Sequence, residues 1–268
     1  MTAGAGAGES AGAPPRLVET RLEDGVLALT MARPEKLNAL SPALVAQLAA
    51  GLDSAEAEEV RVVVLLGAGR SFCAGADVAE SLGLEDLDAA AGFLTALAGV
   101  LRRISTLPKP VIAAVQGDAV GGGAELALEA DLRIVAADAR LSFPDVALGS
   151  TPATLYQLVR LAGRGRALQM ALLGTELEAK EMERLGIAHR VVAPGALEEE
   201  TLALARRLRD RASARSLRFA KEAAMHAEGA SREADLRANV AAMLACHASE
   251  EQRAFVRDFG SRPAAGDA

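Results

Sequence analysis

The chain has 268 residues, 51% of them hydrophobic, and a net charge of −7. That length suits one large domain, or one domain with a small appendage, around a sizeable core. The negative balance, the lack of Trp and the single tyrosine, Tyr156, argue against a nucleic-acid binder, which needs a basic surface and stacking rings.

The first stretch, "MTAGAGAGESAGAPP" (1–15), has no basic region followed by an apolar one, so it is not a secretory signal. Its Gly, Ala, Ser and Pro content reads as a disordered leader. "RLVETRLEDGVLALTMA" (16–32) predicts two strands around an Asp24-Gly25 turn. "SPALVAQLAAGLDSAE" (41–56) predicts a helix, with Ser41 as N-cap, Pro42 at the first helical position and apolar residues at helical spacing. "VRVVVLLGAG" (60–69) is a buried strand that stops at glycines, and 84–106 is a long helix. A short strand over 109–117 leads to a helix over 121–131 after a glycine entry, and 132–143 returns to extended structure. From about 152 onward most segments read as helical. The alternation predicts an α/β core over 16–195 with a helical region over 196–268. No apolar run approaches the ~20 residues of a membrane span, so no membrane association is expected and a cytoplasmic location fits.

Two cysteines, Cys73 and Cys246, make neither a disulfide framework nor a metal cluster. Cys73 lies among small residues and reads as a buried thiol. The histidines, His189, His226 and His247, are scattered, so no metal is expected.

Two glycine-containing turns each follow a strand: "GAGRSFCAGADVAE" (67–80) and "GDAVGGGAEL" (117–126). Either could present main-chain N–H groups, and the second also opens a helix whose first N–H groups lack intrahelical partners. Two such groups aimed at one oxygen make an oxyanion hole. Two ordinary strand-to-helix turns would read the same way. Neither turn is followed by the Gly-Lys-Ser/Thr of a phosphate loop, and neither carries G-x-G-x-x-G. Glu125 lies one turn into the helix beside the glycines; buried there, it would be a general acid or base. Glu129, four residues on, reads as solvated. Asp145, in "FPDVALGSTP" (143–152), is a second acid, in a loop after Pro144.

Taken together these segments resemble the enoyl-CoA hydratase/isomerase superfamily, the crotonase fold, over roughly 16–263. The resemblance is carried by "ARPEKLNALS" (32–41), "SFCAGADVAE" (71–80), the stretch 107–149, "GTELEAKEMERLGIAHRVV" (174–192) and "EEQRAFVRDF" (250–259). It implies a spiral (superhelix) of ββα units, followed by a C-terminal helical region that mediates homotrimer or dimer-of-trimers assembly. It implies an acyl-CoA substrate and no cofactor beyond the coenzyme A moiety. The thioester oxygen would take the amides of Ala76 and Gly122. Lys36, Leu37, Ala74, Ala76, Asp77 and Val78 match stretches that contact coenzyme A. The basic run from Arg206 to Lys221 could meet its phosphates, or be a solvated helix face.

Two departures stand out. Glu125 and Asp145 match the two hydratase acids, but the second is a glutamate in the hydratase pattern, and the shorter side chain withdraws the carboxylate by ~1.5 Å. After Gly149 the hydratases continue glycine-rich, whereas "STPATLYQLVRL" (150–161) resembles the aroyl-CoA branch, including the 4-chlorobenzoyl-CoA dehalogenases. The nucleophilic aspartate of that branch aligns with Thr151, and Tyr156 reads as packing. The resemblance therefore implies, first, hydration of a 2-enoyl-CoA. Its alternatives are Δ3,Δ2-enoyl-CoA isomerisation, another hydrolase or lyase reaction of the branch, and a non-catalytic acyl-CoA binder. The helix and loop at 80–100 would line the acyl tunnel.

Overall fold

The computed structural model describes residues 15–81, 87–148 and 150–227. The leader up to residue 14, the 82–86 loop, Gly149, and everything from 228 on, with Cys246, His247 and the 250–259 motif, lie outside the described residues.

Strands β1 (Val18–Glu23) and β2 (Val26–Met31) pair antiparallel, with Glu23 opposite Val26. Asp24 and Gly25 turn between them at φ 48° and 76°, the positive values that a two-residue hairpin demands. Helix α1 (Pro42–Ser54) starts where the sequence predicts: the Ser41 hydroxyl accepts the Leu44 N–H at 3.2 Å, and Pro42 occupies the first turn. Strand β3 (Val62–Gly67) then runs parallel to β2.

After β3 come the short helix α2 (Val78–Ser81) and the long helix α3 (Leu87–Thr106). Two successive units follow a strand–strand–helix plan. Strands β4 (Val111–Val115) and β5 (Asp118–Val120) lead into helix α4 (Gly122–Glu129). Strands β6 (Leu132–Ala136) and β7 (Arg140–Ser142) lead into α5 (Leu155–Ala162) and α6 (Arg164–Leu173). The described chain closes with β8 (Leu177–Glu178), α7 (Ala179–Arg184), β9 (Arg190–Val192), α8 (Leu197–Arg211) and α9 (Ala214–Ala227).

The six-stranded sheet has the order β1-β2-β3-β4-β6-β9, parallel except for β1. A small sheet, β5-β7-β8, carries the second strand of each unit, and Cys73 bridges to Ala119 beside it. This is the expected ββα spiral. The run "VVVL" (62–65) in β3 and "VIAAV" in β4 are buried on both faces, as β-branched strands of a parallel sheet should be. Alternate residues serve two cores. Val63, Leu65, Ala113 and Val115 face the α1, α3 and α4 side, with Leu48, Leu97 and Leu126. Val62, Val64, Ile112 and Ala114 face α8, which covers them with Leu197, Ala205 and Leu208. The short strands β8 and β9 are absent from the predicted elements, because two or three residues carry too little periodicity to read.

Candidate active site

The site begins in the loop between β2 and α1. A turn of 3-10 helix over Pro34–Lys36 ends in two residues at positive φ, Leu37 (52°) and Asn38 (56°). Asparagine tolerates that region and can fill it usefully. The fully buried Asn38 donates its amide to the carbonyls of Ala68, Ser71 and Phe72 at 2.9, 2.9 and 3.2 Å, and accepts the Arg33 N–H at 2.9 Å. The same loop grips the next segment by main chain: Ala74 N donates to Leu37 O (3.0 Å), Leu40 N to Gly75 O (2.7 Å) and Asp77 N to Leu40 O (3.0 Å). Residues 75 and 77 face Leu40, so the intervening amide of Ala76 points the other way, where it meets no acceptor among the described residues.

The other wall is the glycine triplet. Gly121 holds φ 48°, and a Cβ on it would lie 3.6 Å from Asp145 Oδ1. A Cβ on Gly122 would come within 3.0 Å of Leu40 Cδ1 and 4.0 Å of Ala76 N. One on Gly123 would strike Cys73 O at 2.1 Å. Small residues here thus let the start of α4 lie against the 73–76 segment. The Gly122 amide, first in the helix, likewise has no acceptor among the described residues. A Cβ on Gly75 would sit 3.6 Å from Gly122 N, so the two amides lie close together. A carbonyl oxygen there could accept both, helped by the positive end of α4.

Glu125 projects from the first turn of α4 and is 5% exposed. Its Oε1 accepts the N–H groups of Ala153 and, at 3.0 Å, Thr154. Burial pushes its carboxyl above the ordinary glutamate value; those two amides oppose the rise, and the charges of Asp145 and Glu129 add to it. Asp145 opens a single 3-10 turn over Asp145–Leu148. Its carboxyl is also raised by burial, and its Oδ2 is buried without a hydrogen-bond partner among the described residues. Buried carboxyls of raised pKa are suited to exchanging protons with a bound group.

Glu129 corrects the sequence reading. It is buried, not solvated: Oε1 accepts the Tyr156 hydroxyl at 2.6 Å and Oε2 meets Gln157 Nε2 at 3.4 Å. Tyr156 is therefore more than packing. Beyond it, the buried Arg133 caps the C-terminal end of α4, donating to the carbonyls of Ala127, Leu128 and Ala130, and to that of Ile187. Burial pushes the guanidinium down to about 10.

The residues matched to coenzyme A line the outer edge of the 37–77 zipper. Lys36 is exposed at the end of its turn, while Leu37, Ala74 and Ala76 are half-buried. The Asp77 carboxylate is already taken. Burial would push it up, but Arg33, bonded to it at 2.8 Å, holds it low, and its Oδ1 accepts the Glu80 N–H at 3.2 Å at the start of α2. Arg33 also reaches Glu80 at 2.6 Å. A ligand at Asp77 would meet main chain. Of Val78 the backbone alone is described, as the start of α2.

Cys73 is the expected buried thiol: burial pushes it up to about 12, and its Sγ lies 3.2 Å from Asn38 O. Much of the basic run has structural partners. Lys221 pairs with Asp131 at 2.8 Å, Arg209 donates to Asp24 O at 2.6 Å, and Arg218 meets Glu222 at 3.5 Å. Among the described residues no group of acids, histidines and cysteines could hold a metal ion. Arg33, Asn38 and Arg133 were not singled out from sequence, and Glu129 was read there as solvated. An asparagine directly before the apolar "AL" of 39–40, where the turn must end, was the available signal for Asn38.

The chain matches the model of the family "Enoyl-CoA hydratase/isomerase" over residues 21–259. It is 39% identical over 202 residues to the 1,2-epoxyphenylacetyl-CoA isomerase of Escherichia coli (strain K12), covering 70% of this chain and 74% of that one. It is 39% identical over 181 residues to the short-chain-enoyl-CoA hydratase of Clostridium acetobutylicum, covering 65% and 68%. Among solved structures, that of an enoyl-CoA hydratase from Bacillus anthracis superimposes with a TM-score of 0.87 at 29% identity, over 92% of this chain and 96% of the other. With its spiral, its glycine triplet and a match that runs through nearly the whole described chain, the protein belongs to the enoyl-CoA hydratase/isomerase family.

Proposed function

We propose that the protein is an enoyl-CoA hydratase, adding water reversibly across C2=C3 of a 2-enoyl-CoA thioester. The reading is supported by the closeness of the Ala76 and Gly122 amides, neither of which has an acceptor among the described residues, and by the two buried carboxyls of raised pKa, Glu125 and Asp145, carried by α4 and by the turn against Gly121. The thioester oxygen accepts both amides. Glu125 takes a proton from water as its oxygen bonds to C3, the π electrons move to the thioester oxygen as an enolate, and C2 is then protonated with Asp145 assisting. The reverse step expels water from C3. Each amide supplies about 3 kcal/mol of transition-state stabilisation. Coenzyme A lies along Lys36, Leu37, Ala74, Ala76, Asp77 and Val78. No further cofactor enters, and the chain works as a homotrimer or dimer of trimers in the cytoplasm.

A second reading is favoured by the short reach of Asp145. In it, one carboxylate shuttles a proton between C2 and C4 of a 3-enoyl-CoA. Ultraviolet absorbance separates the two. A hydratase bleaches the conjugated thioester of crotonyl-CoA or a longer homologue, whereas an isomerase creates that absorbance from a 3-enoyl-CoA. Glu125→Gln should lower kcat by about 10²- to 10⁴-fold while binding of coenzyme A persists. Unchanged turnover would remove Glu125 from the mechanism.

A further inference from the structure

Helix α4 carries two carboxylates one turn apart, and both reach across to the same short segment. Glu125 Oε1 takes the amides of Ala153 and Thr154. Glu129 takes the Tyr156 hydroxyl and the Gln157 amide. Packing also holds this segment, since Thr154 is buried and Leu155 lies against the core, but the Ala153 and Thr154 amides themselves bond to Glu125. Thr154 stands at the N-cap of α5 but its side chain caps nothing, and its main-chain partner is the local bond from Gln157 N at 2.9 Å. Ala153 is exposed. The far end of α4, by contrast, is fastened by Arg133. The helix is therefore a fixed rail, and Glu129 ties α5 to it by hydrogen bonds in addition to the apolar packing of Leu155 and Leu158.

We propose that Glu129 is a positioning residue: by gripping Tyr156 and Gln157 it holds the Ala153 and Thr154 amides against Glu125, and so fixes the orientation of the reacting carboxyl. The inference rests on the reading of Glu125 as the group that works on the acyl chain. With Oε1 occupied by two amides, Oε2 is the oxygen left to face a substrate. A shift of the 153–157 segment by a fraction of an ångström turns that oxygen away from C3, and misplacement by about 1 Å can cost about 100-fold in rate.

The charge of Glu129 gives a signature that packing alone does not. The ionisable groups acting on Glu125 are Asp145, from the turn after β7, and Glu129, from its own helix. Arg133 from β6 and Lys221 from α9 act in turn with Glu129. Removing the Glu129 charge removes a like charge, so the Glu125 carboxyl becomes easier to ionise.

The test compares Glu129→Ala, Glu129→Gln, Tyr156→Phe and Glu125→Gln in the full-length protein, with crotonyl-CoA or a longer 2-enoyl-CoA. Tyr156→Phe and Glu129→Ala should lower kcat about tenfold or more with KM nearly constant, the pattern of a lost transition-state alignment. Glu129→Gln, which still accepts from Tyr156, should retain more of kcat than Glu129→Ala. It should also move the limb of the kcat–pH profile governed by Glu125 to lower pH. If Glu125→Gln is inactive while the three other variants keep wild-type kcat and an unmoved limb, the positioning role is overturned. So it is if Gln and Ala at 129 are equally impaired, with KM rising in step and the limb unmoved. Turnover by Glu125→Gln would instead overturn the reading of Glu125, and the positioning role with it.

Discussion

At the scale of single residues, placing Glu125 in the site works against the stability of the fold. Its carboxyl is raised first by burial, so the folded state penalises the charged form. A carboxyl raised on folding contributes stability that is full below the unfolded pKa, about 4.3, and is lost as pH rises through the folded value. At neutral pH, then, the ionised Glu125 lowers stability. Glutamine keeps an oxygen to accept the Ala153 and Thr154 amides and carries no charge. Glu125→Gln is therefore expected to melt at a higher temperature than wild type at neutral pH, with the gain shrinking as pH approaches 4. Calorimetric melts over that range decide it; a gain independent of pH would mean that the charge is not the cause.

At the scale of elements, α4 is a helix of 122–129 whose N-terminal end is shaped by closeness rather than by a side-chain cap. Gly123 packs on the main chain of the 73–76 segment, where an added methyl group would meet Cys73 O at 2.1 Å, and backbone cannot swing aside as a side-chain tip can. Gly123→Ala should push the helix outward, costing about 1–3 kcal/mol of stability by overpacking. It should also part the Gly122 and Ala76 amides. The expected outcome is a lowered denaturation midpoint with a fall in kcat larger than any change in KM. Wild-type kinetics in a correctly folded Gly123→Ala protein would detach the helix start from the chemistry. The three adjacent glycines announced a close approach in the sequence; which neighbour each one meets came only with the fold.

At the scale of the whole molecule, helix α9 is tied to the sheet where β4 begins. Lys221 on α9 is largely buried and donates to Asp131 Oδ2 at 2.8 Å and to the carbonyls of Ile104 and Lys109 at 3.1 and 3.3 Å. The same Asp131 oxygen accepts the Val111 N–H at 2.7 Å, at the first residue of β4. Lys221→Met leaves that carboxylate half-buried without its cation, and losing one partner of a buried pair costs about 3 kcal/mol. The loss should show as faster amide hydrogen exchange across α9 and around Val111, with exchange in α4 little changed. Equal protection of α9 in the variant and the wild type would show that apolar packing alone holds the helix.

Local chemistry was enough for much of this protein. The Asp24-Gly25 hairpin, the Ser41-Pro42 helix start and the apolar strands β3 and β4 follow from neighbours in the chain, and so were legible before folding. The ordered motifs likewise pointed to the spiral and to Glu125, Asp145 and the two glycine turns. What depended on the tertiary structure was partnership. Glu129 looks solvated because its flanks are ordinary helix, yet Tyr156 arrives from 27 residues away to bury it. Asn38 looks like one more loop residue until three carbonyls from 68–72 converge on its amide. Periodicity and turn chemistry act between near neighbours, and a sequence displays those directly. Hydrogen bonds and charge pairs between distant segments exist only once the sheets have set the distances, and the environment of the site is made of them.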